Sequence, residues 1–201
     1  MDHEQKNKQK ILETAKQEFA EYGLEGARVD RIAKKAEVNK AMIYYYFGSK
    51  EKLYQSTIRA HFERLAEFVD KQVTSNDQVE AILRQLAAFY DKTFNQDRLF
   101  IPILMREIAA GGERIKESFV QYFLKQNITQ KLIALIDDEI QKGHFRNVDS
   151  RQAIISFIGM NIFYHVMAPI INPIWGIDDV ETFRKQRTEA VVDLFVHGLK
   201  K

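Results

Sequence analysis

Residues 29–47 carry two apolar stripes at helical spacing, and each is too short to hold a helix by itself. Val29, Ile32, Ala33 and Ala36 recur at i, i+3, i+4 and i+7, which is one face of a helix. After a break at Glu37-Val38, Asn39 is a good N-cap for a second short helix, Lys40 to Phe47. In it Ile43 and Phe47 stand four apart and face one side. Isolated helices shorter than about 12–15 residues are marginal in water, so both stripes must pack on another helix. The preceding segment supplies one. Ile11, Leu12, Ala15, Phe19 and Tyr22 form an apolar stripe over Lys8 to Tyr22, and Gly23 is a plausible stop.

The rest of the chain also reads as helix. It has 201 residues with 45% hydrophobic content, enough for a substantial core, and only three prolines. No segment shows strict apolar–polar alternation. Gly48 ends the third helix, and Ser49 caps a long fourth one from Lys50 to about Val73. Beyond Ser75-Asn76-Asp77, helices are expected at about 78–95, 101–110, 115–143, 150–168 and 179–199. Pro102 suits a first helical turn. Gly111-Gly112 and Gly143 mark helix ends. Asp149 with Gln152, and Asp178 with Glu181, have capping-box spacing. Pro169 and Pro173 are expected to end the penultimate helix. The fold class is therefore all-α. Residues 1–49 are expected to form a three-helix domain, 50–74 a connecting helix, and 75–201 a helical bundle.

Three packed helices with a three- or four-residue turn between the last two are how helix-turn-helix proteins present a recognition helix to the major groove. The third helix has the right chemistry. Its N-terminus, Asn39-Lys40, offers free amides and the positive end of the dipole. Lys40 can donate to guanine O6 and N7. Ala41 and Met42 suit thymine methyls, and tyrosine hydroxyls reach phosphate oxygens without adding charge. Tyr44-Tyr45-Tyr46-Phe47 cannot all point inward at 3.6 residues per turn. Charge points the same way: residues 1–60 hold 12 Lys/Arg against 9 Asp/Glu, whereas the whole chain is only +2.

The run GLEGARVDRIAKKAEVNKAMIYYYFGSKEKLY resembles the DNA-binding domain of the tetracycline-repressor (TetR) family. The resemblance rests on Gly23, Val29, Ile32-Ala33, Ala36, Val38, Ala41, Ile43-Tyr44, Phe47, Ser49-Lys50 and Leu53, and covers roughly residues 8–55. It implies that Lys40, Ala41, Met42 and Tyr44 contact bases or the groove, and that Tyr45, Tyr46 and Lys50 contact the DNA backbone. Arg28 and Arg31 then flank the start of the second helix, and Asn39 stands in the usual capping position. Two residues depart from the pattern. Glu37 stands where the family usually has glycine, at a cost if that backbone needs a positive φ. Arg28 stands where a capping Ser or Thr is common.

For residues 76–201 the resemblance implies a ligand pocket and a dimer surface, with the last two helices pairing across a two-fold axis. The sequence is consistent with that. The helix at 150–168 is apolar nearly all round, more than one chain's core requires. Phe157, Gly159, Val191 and Phe195 are the expected interface positions. Aromatic and Met residues, with two polar groups, are candidate pocket walls: Phe62, Phe89, Met105, Phe119, Phe123, Asn161 and His165. Asn161 and His165, four apart on an apolar helix, are more often satisfied core or interface polar groups than ligand contacts, and Arg106-Glu107 reads as a structural ion pair.

Other classes are limited by composition. There is no cysteine, so disulfides, thiolate metal sites and cysteine nucleophiles are excluded. The five histidines show no metal-ligand spacing, and no cofactor is expected. The N-terminus MDHEQKNKQK has no apolar core for a signal peptide. Ile154 to Ile171 is interrupted by Ser156, Asn161, His165 and Pro169, so it reads as a buried helix rather than a membrane span. The expected protein is a cytoplasmic, homodimeric transcriptional repressor that binds a pseudo-palindromic DNA operator and is released by a small, mainly apolar ligand. Two alternatives stand beside it: a DNA-binding regulator without a small-molecule effector, and an all-α enzyme, for which no nucleophile–base pair or phosphate loop can be located.

Overall fold

The computed structural model describes residues 3–73, 78–124 and 127–201. Ser118, Phe119, Gln121 and Tyr122 are described by their backbone alone, so the side chain proposed for Phe119 lies outside the described residues, as does the expected break at Ser75-Asn76-Asp77. The helices are α1 (His3–Gly26), α2 (Val29–Ala36), α3 (Lys40–Phe47), α4 (Lys50–Val73), α5 (Val79–Gln96), α6 (Phe100–Ala109), α7 (Glu113–Phe119), α8 (Ile128–Gln141), α9 (Ser150–Ile174) and α10 (Val180–Leu199). A short π-helical turn, Val120–Leu124, follows α7. Among the described residues there is no strand, only an isolated antiparallel bridge between Phe145 and Lys200.

The helices pack as two compact units that interleave along the chain. The first holds residues 1–65 and 97–122, so α6 and α7 pack with the N-terminal helices rather than with the bundle at 75–201. Its core is Ile11, Ala15, Phe19, Ile32, Ala36, Ile43, Phe47, Leu53, Tyr54, Ile58, Phe100 and Ile103. Phe19 and Tyr54 meet edge to face at 4.8 Å, and the His61 ring stacks flat on Phe100 at 3.5 Å. α1 kinks at Gly23, where φ is +67°. The Arg106 guanidinium donates to the carbonyls of Phe19, Ala20 and Glu21 just before that kink. Those carbonyls lose helical partners at the break, and the charged donor replaces them. Glu107 instead accepts from the Tyr54 hydroxyl at 2.8 Å and pairs with Arg114 at 3.4 Å. Arg106 and Glu107 are therefore not paired with each other; neighbours in a helix point about 100° apart.

The second unit holds residues 66–96 and 123–201. α5 packs on α8, α9 and α10, and α9 packs on α8 and α10. Ile82, Leu83, Leu86, Ile128, Ile136, Ile154, Phe157, Val192, Phe195 and Val196 form the core. Asp149 caps α9 through the Arg151 amide, and Asp179, not Asp178, caps α10 through Thr182.

Two expectations fail here for local reasons. Residues 115–143 are not one helix: the π turn intervenes, and Asn127 adopts φ +54° before α8. Asparagine tolerates that left-handed geometry better than most side chains. α9 is not ended by its prolines but runs through Pro169 and Pro173 to Ile174. Both prolines lie on the exposed side, four residues apart, so the backbone bonds they forgo fall on one face. Nor is α9 buried. It is long and apolar enough to cross a membrane, with a mean hydropathy of 1.8, and 22% of that stretch is buried.

Candidate nucleic-acid interface

α2 and α3 are held on α1 by the stripes that define them. Val29, Ile32, Ala33 and Ala36 are buried on α2, and Ile43 and Phe47 on α3. This turns the remaining faces of α3 outward. Ala41, Tyr44 and Tyr45 are exposed, Tyr45 at 80%, while Met42 and Tyr46 are half-buried. Asn39 caps α3 as expected, its Oδ1 accepting from the Ala41 amide at 2.9 Å. One amide of the recognition helix is thereby satisfied.

The turn between the two helices depends on Glu37. It adopts φ +53°, ψ +42°, the left-handed region expected of a glycine. Its carboxylate meets Lys10 Nζ of α1 at 2.5 Å, and that hydrogen bond holds the carboxyl below the ordinary range.

Arg28 has no side-chain cap of its own to offer α2. Glu18, fully buried in α1, supplies one from a distance: its Oε1 accepts from the Arg28 amide at 3.1 Å and from Arg31 Nε at 2.6 Å. Burial pushes the Glu18 carboxyl up, but the bonds from Arg31 and the Arg28 amide outweigh it, and its pKa lies below the ordinary value. Arg31 also donates to the Gly26 carbonyl at 2.9 Å and lies 4.2 Å from the Tyr22 ring. Sequence reasoning assigned no role to Glu18, because a lone Glu in an amphipathic helix reads as surface.

Lys40, the first residue of α3, pairs with Asp30 near the start of α2 at 2.8 Å. That hydrogen bond raises the lysine pKa and keeps it a cation. Lys50 lies 3.5 Å from the carbonyls of Glu25 and Ala27 at the end of α1. The expected contact residues thus occupy one short stretch of the first unit, and Arg31 among them is committed to internal partners.

The expected pocket residues whose side chains are described fall in both units. Phe62 and Met105 belong to the first unit, and Phe89, Phe123, Asn161 and His165 to the second. Phe62 packs edge to face on Phe100, and Phe89 stacks on Phe68 at 4.1 Å. Asn161 and His165 share a cleft with Asp91, Tyr164, Arg184 and Arg187. It encloses about 10 Å³, roughly one water. Asn161 donates to the Phe157 carbonyl at 2.8 Å, and Asp91 binds Arg184 at 2.8 Å with His165 at 3.7 Å. Among the described residues no group of three His, Asp or Glu is placed to hold a metal.

Three of the four expected interface residues face their own core. Phe157, Val191 and Phe195 are buried, with Phe157 and Phe195 rings 5.0 Å apart. Gly159 faces open space. Beside it lies a shallow apolar groove of about 600 Å³ lined by Met160, Ile162, Phe163, Val166 and Arg187.

Comparison with known proteins agrees with this architecture. Residues 11–57 match the family described as bacterial regulatory proteins, tetR family, and residues 79–195 match the tetracyclin repressor-like C-terminal domain. The chain is 27% identical to the HTH-type transcriptional repressor NicS of Pseudomonas putida, over 95% of this chain and 91% of that one. Among solved structures it is similar to PfmR of Thermus thermophilus, with a TM-score of 0.72 and 23% identity over 95% of this chain and 99% of that one. It is also similar to FadR of Bacillus subtilis, solved in complex with stearoyl-CoA, with a TM-score of 0.73 and 20% identity over 94% and 98%. An exposed recognition helix on a three-helix core, joined to a helical C-terminal region, and both family matches lead to one assignment: the chain belongs to the TetR family of DNA-binding transcriptional regulators.

Proposed function

We propose that the protein is a cytoplasmic repressor that binds a pseudo-palindromic operator as a homodimer and releases it when a small, mainly apolar ligand binds within residues 75–201. It is a regulator and not an enzyme. The observation that carries the DNA reading is the outward face of α3: exposed Ala41, Tyr44 and Tyr45 beside a capped N-terminus bearing Lys40. Lys40, Ala41, Met42 and Tyr44 read the groove, and Asn39, Tyr45, Tyr46, Lys50 and Arg28 position the backbone. Dimerisation uses the outward apolar side chains of the last two helices, Ile155, Phe163 and Leu194, around open Gly159. The similar NicS protein is a transcriptional repressor. The stearoyl-CoA complex of FadR supports a ligand with apolar character.

A regulator without a small-molecule effector is the second reading. It is favoured by the cleft at Asn161 and His165, which has room for about one water. One experiment separates the two. Duplexes selected by the full-length protein from a randomised pool are tested for two-fold symmetry. Apolar compounds that raise the melting temperature are then added to the complex. Symmetric sites and compound-driven release support the first reading. Selected sites without symmetry refute the dimeric one. Symmetric sites that no stabilising compound releases leave the second.

A further inference from the structure

Asp30 and Lys40 stand at the starts of α2 and α3, ten positions apart, and their charged groups meet at 2.8 Å. Both side chains reach solvent, Lys40 at 46% and Asp30 at 74% exposure. The pair therefore lies on the surface that presents α3, not in the core. An exposed ion pair contributes little to stability, so this one is free to serve the interface rather than the fold. The chemistry of each group makes the juxtaposition consequential. A lysine is a flexible point charge that binds any phosphate oxygen, and such contacts carry no sequence information. Its ammonium has three donors. With one held by Asp30, two remain, matching the two acceptors that guanine presents in the major groove, O6 and N7. The Asp30 carboxylate is itself favoured at its position, in the first turn of α2 near the positive end of the helix dipole.

We propose that Asp30 is a specificity-setting residue of the DNA interface, which tethers Lys40 toward a guanine and withholds its charge from the phosphate backbone. The inference rests on the base-reading role of Lys40 proposed above. Arg31, whose guanidinium is already bound to Glu18, cannot take over this function. The carboxylate adds a repulsion toward phosphate that any duplex meets, while only a guanine in register recovers the lysine contact. Affinity for random duplex is thereby lowered more than affinity for the preferred site.

The test uses the full chain, the duplex it selects from a randomised pool, and a random-sequence duplex of equal length. Binding of wild type, Asp30→Asn, Asp30→Ser, Lys40→Ala and the Asp30→Asn/Lys40→Ala double variant is titrated at several salt concentrations. Melting curves identify which of the two Asp30 variants keeps the fold. Expected are tighter binding of random duplex by the Asp30 variants, a salt slope steeper by about one unit, and a preference for the selected site reduced by about tenfold. In the Lys40→Ala background the Asp30 change should no longer alter preference. If Lys40→Ala relaxes preference but neither Asp30 variant does, the tether is overturned and the role of Lys40 stands. If Lys40→Ala leaves preference unchanged, the reading of Lys40 falls, and the tether falls with it.

Discussion

The buried Glu18 carboxylate of α1 binds Arg31 of α2 at 2.6 Å through Nε. The same oxygen accepts the Arg28 amide, which has no cap of its own. This acceptor ties the start of α2 to α1, alongside the buried stripe of Val29, Ile32, Ala33 and Ala36. Removing it leaves a part-buried amide and part of a guanidinium without this acceptor, which costs about 1–3 kcal/mol. Glu18→Ala is therefore expected to lower stability by that amount, and Glu18→Gln by less, because an amide oxygen still accepts. Denaturant titration of the three proteins checks the order. Equal stability of Glu18→Ala and wild type would remove the strut role.

Glu37 occupies a left-handed backbone position at φ +53°. Glycine suits that geometry and alanine does not. Comparing Glu37→Gly with Glu37→Ala cancels the Lys10 ion pair, which both lose. The glycine variant should then be more stable by about 1 kcal/mol, a gap of roughly 2–4 °C in melting temperature for a chain of this size. Equal melting temperatures would mean the turn carries no strain.

These two sites show what was legible beforehand. The stripes at 29–36 and 40–47, the Asn39 cap and the non-glycine turn are local features, so spacing and residue type were enough to place them. Glu18 was not, since its partners lie ten and thirteen positions away and only the packing of α2 on α1 brings them together. The same holds for Asp30 with Lys40. In α9 and α10 the difficulty was different. Apolar residues cover several faces, and periodicity does not say which face meets the chain's own core. Phe157, Val191 and Phe195 turned inward, and Ile155, Phe163 and Leu194 turned out. A proline usually ends a helix, but α9 carries Pro169 and Pro173 on its exposed side and continues to Ile174.

That orientation gives a sharper test of assembly. Stable homodimer interfaces are large and apolar, commonly above about 2,000 Å² in total. Phe163→Asp and Leu194→Asp place charges on exposed positions and should yield folded monomers. Phe195→Asp buries a carboxylate beside Phe157 and should unfold the chain instead. Sedimentation velocity with circular dichroism distinguishes the two effects. Dimers that persist in both exposed-site variants would place the interface elsewhere.

His61 is the group whose titration should shape acid stability. Burial pushes its imidazole down from the ordinary 6.5 to about 3; the Asp97 charge opposes this, and Arg64 and Lys16 add to it. Its flat stack on Phe100 places it in the core of the first unit. The folded pKa is below the unfolded one, so the unfolded chain takes up the proton first. Stability is then complete above pH 6.5 and is lost as pH falls toward 3. The loss from this group alone approaches about 1.4 kcal/mol per pH unit. His61→Phe keeps an aromatic ring against Phe100 and cannot be protonated. Carboxylates such as Glu18, whose folded pKa is also lowered, destabilise both proteins alike as pH falls. Denaturant titrations of wild type and His61→Phe at pH 7, 6, 5 and 4 should therefore diverge. The variant should gain on wild type steadily below pH 6.5, whatever their difference at pH 7. Parallel curves over that window would mean the His61 ring is protonated in the folded state as readily as in the unfolded one.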